Sequence, residues 1–301
     1  MPILIVLVLL GVAAAQTRDT SAVSPDAAVA DLLAADRAFS ASSAKTDVIS
    51  GLSQMFASDV VMQAPGNKFT RGLPETVAAL RSNADNAKSR VEWTPWRGGI
   101  SADGLHGFTF GFMTLHRPDK TQVPMKYMAY WIKGDAGWRV AVYKRRPRPQ
   151  GDIPVDPMPP ALPPRMIAPS TDAAAIKAFE ASLDAAEREF SREAQTIGIG
   201  PAFAKYGSAD AVNMGGPDTA GYVLGSEAIG KAVSGGESPS PSPVSWAPER
   251  TIVASSGDIG VTIGFIRQNA KKADGTAPPA IPFFTIWRRL DTASPWRYVA
   301  E

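Results

Sequence analysis

ISADGLHGFTFGF, residues 100–112, and VASSGDIGVTIGF, residues 253–265, are one stretch written twice. At an offset of 153 residues Gly104/Gly257, Gly107/Gly260, Thr109/Thr262, Gly111/Gly264 and Phe112/Phe265 coincide. Working outward, Trp93-Thr94-Pro95 matches Trp246-Ala247-Pro248, and Asp36-Arg37-Ala38-Phe39-Ser40 matches Glu187-Arg188-Glu189-Phe190-Ser191. Downstream, Trp131 matches Trp287, and Trp138-Arg139 matches Trp296-Arg297. Landmarks in one order at a period of about 150 residues mean a duplicated domain, because solenoid repeats are far shorter, roughly 20–50 residues.

Within each copy the periodicity changes from helical to extended. Leu32, Ala35, Asp36 and Phe39 recur at helical spacing over 26–43, as do Phe179, Leu183, Ala186, Glu187 and Phe190. Each helix opens near an aspartate, Asp26 or Asp172, followed by alanines. Gly72-Leu73-Pro74-Glu75 leads into a second helix over 76–81, with a counterpart starting near Gly225-Ser226-Glu227. Residues 107–115, 126–133 and 138–143 are rich in aromatic and β-branched residues, with a turn at Gly134-Asp135-Ala136-Gly137. Helices followed by an antiparallel meander predict an α+β fold with helices on one sheet face.

The segment RPRPQGDIPVDPMPPALPPRMIAPS, residues 146–170, contains nine prolines and reads as an extended, semi-rigid spacer. SPSPSP, residues 238–243, reads as a surface loop. At the start, the apolar run 2–12 followed by Ala13-Ala14-Ala15 resembles a secretory signal cleaved after Ala15, without the usual basic residue in front. The expected organisation is a signal over 1–15, a lead-in over 16–27, a first domain over 28–147, a linker over 148–171 and a second domain over 172–301. The expected location is periplasmic or extracellular, with no integral membrane segment after cleavage.

Composition narrows the function. The 31 basic and 29 acidic residues leave a net charge of only +2, too even for a dedicated nucleic-acid binder. There is no cysteine, so disulfides, thiol catalysis and cysteine metal sites are excluded. The two histidines, His106 and His116, do not make a multi-histidine metal centre, and no cofactor is implied. No phosphate loop, nucleophile elbow or zinc-protease motif occurs.

The helix with its D-R-x-F motif, the G-x-x-E helix start, the W-x-P strand, the glycine-rich hairpin and the closing tryptophans resemble the nuclear-transport-factor-2-like superfamily, in its SnoaL-like and ketosteroid-isomerase-like branch. The resemblance implies two cones, each a curved antiparallel sheet wrapped around N-terminal helices to enclose an apolar pocket. It also implies association through the sheets, as an intramolecular pseudo-dimer or a homo-oligomer. The second copy departs from the pattern, with Pro282 in place of a basic residue and Pro295 in place of a glycine.

Five residues are candidates for a ligand site: Asp36, Trp93, His106, Tyr127 and Glu187. Asp36 and Glu187 fall on the apolar side of their helices, where desolvation raises a carboxyl pKa and makes a general base or a neutral donor. His106 shares strand parity with Phe108, Phe110 and Phe112, so it points wherever they point. Tyr127 brings a hydroxyl able to polarise a carbonyl oxygen. Trp93 repeats in both copies, as core or rim. Lys144-Arg145-Arg146 with Arg148 reads as a solvated edge leading into the linker. Three functions remain open: a binding scaffold for small apolar or carbonyl-bearing molecules; an isomerase, cyclase or dehydratase using Asp36 as base with His106 or Tyr127 polarising the carbonyl; and a structural interaction module. His106 is Ile259 in the second copy, and Phe283 and Phe284 occupy the region of Tyr127 without a hydroxyl, while the scaffold landmarks persist. That favours binding or interaction over catalysis.

Overall fold

The computed structural model describes residues 23–237 and 240–301. The signal over 1–15, most of the lead-in, and Ser238-Pro239 of the serine–proline loop lie outside the described residues. The first half runs α1 (Pro25–Ser43), α2 (Val48–Ser53), β1 (Phe56–Ala64), β2 (Lys68–Arg71), α3 (Leu73–Arg81), a 3-10 turn (Ala84–Ala87), then β3 (Arg90–Ile100), β4 (His106–His116), β5 (Gln122–Gly134) and β6 (Gly137–Pro147). The second runs α4 (Ala173–Ile197), α5 (Ile199–Tyr206), β7 (Gly207–Asn213), β8 (Val223–Leu224), α6 (Ser226–Val233), β9 (Val244–Val253), β10 (Ile259–Gln268), β11 (Ile281–Arg288) and β12 (Arg297–Ala300). Asp172 caps α4, accepting from the amides of Ala174 and Ala175 at 3.0 Å each. In the first helix that role falls to Ser24 rather than Asp26, its Oγ accepting from the Ala27 amide at 3.2 Å.

The two sheets repeat one order, β2-β1-β6-β5-β4-β3 and β8-β7-β12-β11-β10-β9. Neither is wholly antiparallel. β1 lies parallel to β6, and β7 parallel to β12, so the first strand of each copy closes the edge that the final hairpin would leave open. One face of each sheet receives the helices. Leu32, Leu52, Trp93, Tyr127 and Trp131 form the core of the first half, and Leu183, Phe190, Trp246, Phe283 and Trp287 that of the second. A Cβ on Gly107 would strike Leu32, and one on Gly260 would strike Leu183, so the repeated glycine lets each helix seat directly on its sheet.

The remaining two sheet faces pack on each other. Phe108, Phe110, Met128, Tyr130 and Val142 meet Val261, Ile263, Phe284, Ile286 and Val299 in one buried apolar layer. The contact is a pseudo-two-fold. Arg97 pairs with Asp210 and, at the equivalent positions, Arg250 pairs with Asp59 at 2.9 Å. The axis is broken elsewhere. The Lys126 ammonium donates to the carbonyls of Met214, Thr219 and Gly221 at 2.5, 2.7 and 2.6 Å, whereas its counterpart Pro282 only accepts, from Gln63 Nε2 at 2.5 Å.

The proline-rich spacer does not stand free. Met158 and Ala161 donate to the carbonyls of Trp96 and Gly98 at 2.9 Å each, and Ile100 donates to Ala161 at 3.2 Å, so the segment lies along β3. Its prolines keep it extended, and two of its amides pair with that strand.

Candidate functional site

Asp36 projects from α1 into the first cone, wholly buried. Trp93 Nε1 donates to Oδ1 at 2.5 Å and the Tyr127 hydroxyl donates to Oδ2 at 2.7 Å. Behind them Trp131 Nε1 donates to Thr109 Oγ1 at 2.8 Å. Burial raises the pKa of Asp36, opposed by the hydrogen bonds from Tyr127, Trp93 and Thr109. The Tyr127 hydroxyl, also buried and beside that carboxyl, is pushed well up.

The second cone repeats the cluster with one exchange. Glu187 Oε1 accepts from Trp246 Nε1 at 2.7 Å, and Oε2 accepts from Thr262 Oγ1 at 2.5 Å and Trp287 Nε1 at 2.9 Å. The extra methylene of glutamate reaches the threonine and the far tryptophan, and Phe283 takes the place of Tyr127. Burial pushes the Glu187 pKa up to about 7. Both carboxyls thus tie a helix to three strands through indole and hydroxyl donors.

His106 does not join Asp36. With Phe108, Phe110 and Phe112 it lies on the opposite face of the sheet, against the second half, where Nδ1 stands 2.9 Å from the Tyr130 hydroxyl. Burial lowers its pKa against the pull of Asp103. The structure therefore brings Asp36, Trp93 and Tyr127 together, puts Glu187 in the other cone, and leaves His106 in the interface. His116 meets Glu92 at 2.9 Å on the surface.

Among the described residues, Asp36 lines none of the larger hollows, although Trp93 lines the one between α1 and the linker. The first cone instead holds a hollow of about 550 Å³ under α3 and the 3-10 turn, walled by Met62, Leu80, Leu115, Val123, Met125 and Arg145. Two other hollows, each of about 540 Å³, lie between α5 and α6 and between α1 and the linker, and their walls carry both signs of charge. The hollow under α3 carries only one sign: Arg117, Arg145 and Arg146 line it, with no aspartate or glutamate.

The basic run is therefore not a solvated edge. Lys144, Arg145 and Arg146 belong to β6 and are half-buried. The Lys144 ammonium sits 4.5 Å from the centroid of Phe284, and burial takes its pKa to about 8. Arg146 Nη1 donates to the Gly215 carbonyl at 2.7 Å. Arg145 turns the other way, into the cone. Simple alternation from Trp138 would put Lys144 there. A bulge, with Val140 opposite Trp131 and Val142 opposite Tyr130, reverses the parity and puts Tyr143 and Arg145 inside. Only the register carries that signal.

No family model matches the chain, and no curated protein matches it. Solved structures do. A domain of unknown function with a cystatin-like fold from Nostoc punctiforme is 15% identical, with a TM-score of 0.33 over 40% of this chain and 79% of its own. A nuclear-transport-factor-2-like protein of unknown function from Shewanella oneidensis is 17% identical, with a TM-score of 0.30 over 40% and 98%. A ketosteroid isomerase-like protein from Erwinia carotovora is 16% identical, with a TM-score of 0.28 over 42% and 95%.

Proposed function

We propose that the chain is a non-catalytic binding scaffold whose first half takes a small apolar molecule into the hollow under α3. The observation that carries this reading is a separation. Neither the hollow under α3 nor the one between α1 and the linker is lined by Asp36 or Tyr127, which at 0% and 1% exposure are enclosed and hydrogen-bonded to each other. A general base must lie within hydrogen-bond reach of its substrate, and each oxygen of this enclosed carboxyl already accepts a hydrogen bond, from Trp93 and from Tyr127. The hollow falls in the range of about 300–1,000 Å³ typical of small-molecule sites. The sheet faces that an interaction module would offer are covered by each other.

The test is a thermal-shift screen of small apolar and carbonyl-bearing compounds against the wild type, Asp36→Asn and the cavity-filling Val123→Trp. A ligand of the folded state raises the melting temperature by mass action. Hits should persist in Asp36→Asn and vanish in Val123→Trp. Hits that survive in the filled variant, or turnover of any hit abolished by Asp36→Asn, would refute the reading.

A further inference from the structure

We infer that the ligand of this hollow is an amphipathic monocarboxylate, its apolar body against Leu80, Leu115, Val123 and Met125 and its carboxylate on the guanidinium of Arg145. The inference rests on the binding reading above and adds the head group.

Arg145 turns a charge without an acidic partner toward this hollow. Its Nη1 is fully enclosed and has no hydrogen-bond partner among the described residues. No acid stands within ion-pair distance of it there: the paired arginines are Arg71, Arg97, Arg188, Arg192 and Arg250. The guanidinium is hydrogen-bonded to the Tyr143 hydroxyl, a weak acid whose pKa burial drives upward, so this partner brings no negative charge. Glu301 lies in a separate crevice of about 210 Å³, where Arg145 forms part of the wall, and its main charged neighbour is Lys144. An arginine stays protonated at neutral pH even when burial lowers its pKa, so the cone carries a fixed positive charge beside an apolar cavity.

An uncompensated buried charge is costly, and unmade hydrogen bonds to a charged group are the expensive kind. A ligand that brings the missing anion recovers that cost on binding. The chemistry of the wall selects the anion. A guanidinium presents parallel N–H donors that match the two oxygens of a carboxylate. The other two arginines add field without competing for the inner site, because Arg146 is tied to Gly215 and Arg117 is exposed at the rim. No acid lines the hollow itself, and Glu301 in the neighbouring crevice has Lys144 as its charged partner. The apolar part of the lining, Leu80, Leu115, Val123 and Met125, takes the body of the molecule, so the charge belongs at one end.

The test compares matched probes on the intact chain at neutral pH by calorimetry: octanoate against 1-octanol, and 4-phenylbutanoate against 4-phenylbutanol. The wild type should prefer the acid by about tenfold or more, the difference made by roughly one charge-assisted pair. Arg145→Met should erase the preference and leave the alcohol's affinity unchanged, and Arg145→Lys should restore part of it. The melting temperatures of both variants without ligand report folding, and the lysine variant keeps the charge if the methionine variant is unstable. Equal affinity of acid and alcohol for the wild type overturns the head-group inference and leaves the cavity reading standing. A preference that persists in Arg145→Met overturns it as well. Binding of neither probe, or undiminished binding to Val123→Trp, sinks the cavity reading itself.

Discussion

Glu187 offers a quantitative test of the buried carboxyl clusters. In the folded chain its pKa is pushed up to about 7 by burial, which the donors Thr262, Trp287 and Trp246 only partly offset, from an ordinary value of 4.5. Between those two values the folded state holds a proton that the unfolded chain has released. A carboxyl raised in this way stabilises the fold fully below its unfolded pKa, and that contribution is lost as pH rises through the folded value. At about 1.4 kcal/mol per pH unit, the loss between about pH 4.5 and 7 is roughly 3 kcal/mol. Glu187→Gln keeps the size of the side chain and removes the proton. Urea unfolding followed by tryptophan fluorescence, at about pH 4.5, 6 and 8, gives the stability of both proteins. Asp36 and Asp258, whose pKa values burial also raises, titrate in both and cancel in the difference, whereas Glu301, which feels the Glu187 charge, cancels only in part. The wild type should lose roughly 3 kcal/mol relative to the variant across the series. A difference that stays constant from acid to alkaline pH would refute the reasoning. It would mean that the two indoles and the threonine hold Glu187 ionised inside the cone.

Three further substitutions probe the packing. Lys126→Met strips the donor from three carbonyls of the second half, those of Met214, Thr219 and Gly221, and should cost about 2–4 kcal/mol of unfolding free energy; an unchanged denaturation midpoint would show that the ammonium does not hold that loop. Gly111→Ala and Gly264→Ala each set a Cβ on a backbone carbonyl across the same kind of bulge, at Thr94 and Ala247, and should destabilise by about 1–3 kcal/mol or more, with similar values for the two halves by calorimetry.

Much of this architecture is legible because the residues that repeat are those whose replacement the geometry forbids. Gly107 and Gly260 admit a helix, Gly111 and Gly264 admit a bulge, and the carboxyls at 36 and 187 answer the indoles at 93 and 246. Parity on β4 also fixed the company of His106. It could not fix the side, because both faces of that sheet are buried, one by helices and one by the second half. Arg145 was hidden for a related reason. A basic run next to prolines looks solvated, and one bulge on β6 decides which of its members turns inward. The prolines of the spacer signalled extension, and its attachment to β3 depends on which amides are left to donate. In each case the missing information is a partner distant in the chain.

The lone Lys126 also bears on how the two halves can evolve. In an association of two identical chains every substitution appears on both sides of the axis, so a lysine reaching into its neighbour's loop would have to be accommodated twice. Joining the copies in one chain lifts that constraint. A lysine on one side can stand where the other side has a proline, and a histidine can sit where its twin is isoleucine. Tethering thus turns a symmetric contact into a directional one, and leaves one half free to acquire a cavity while the other serves as its permanent wall.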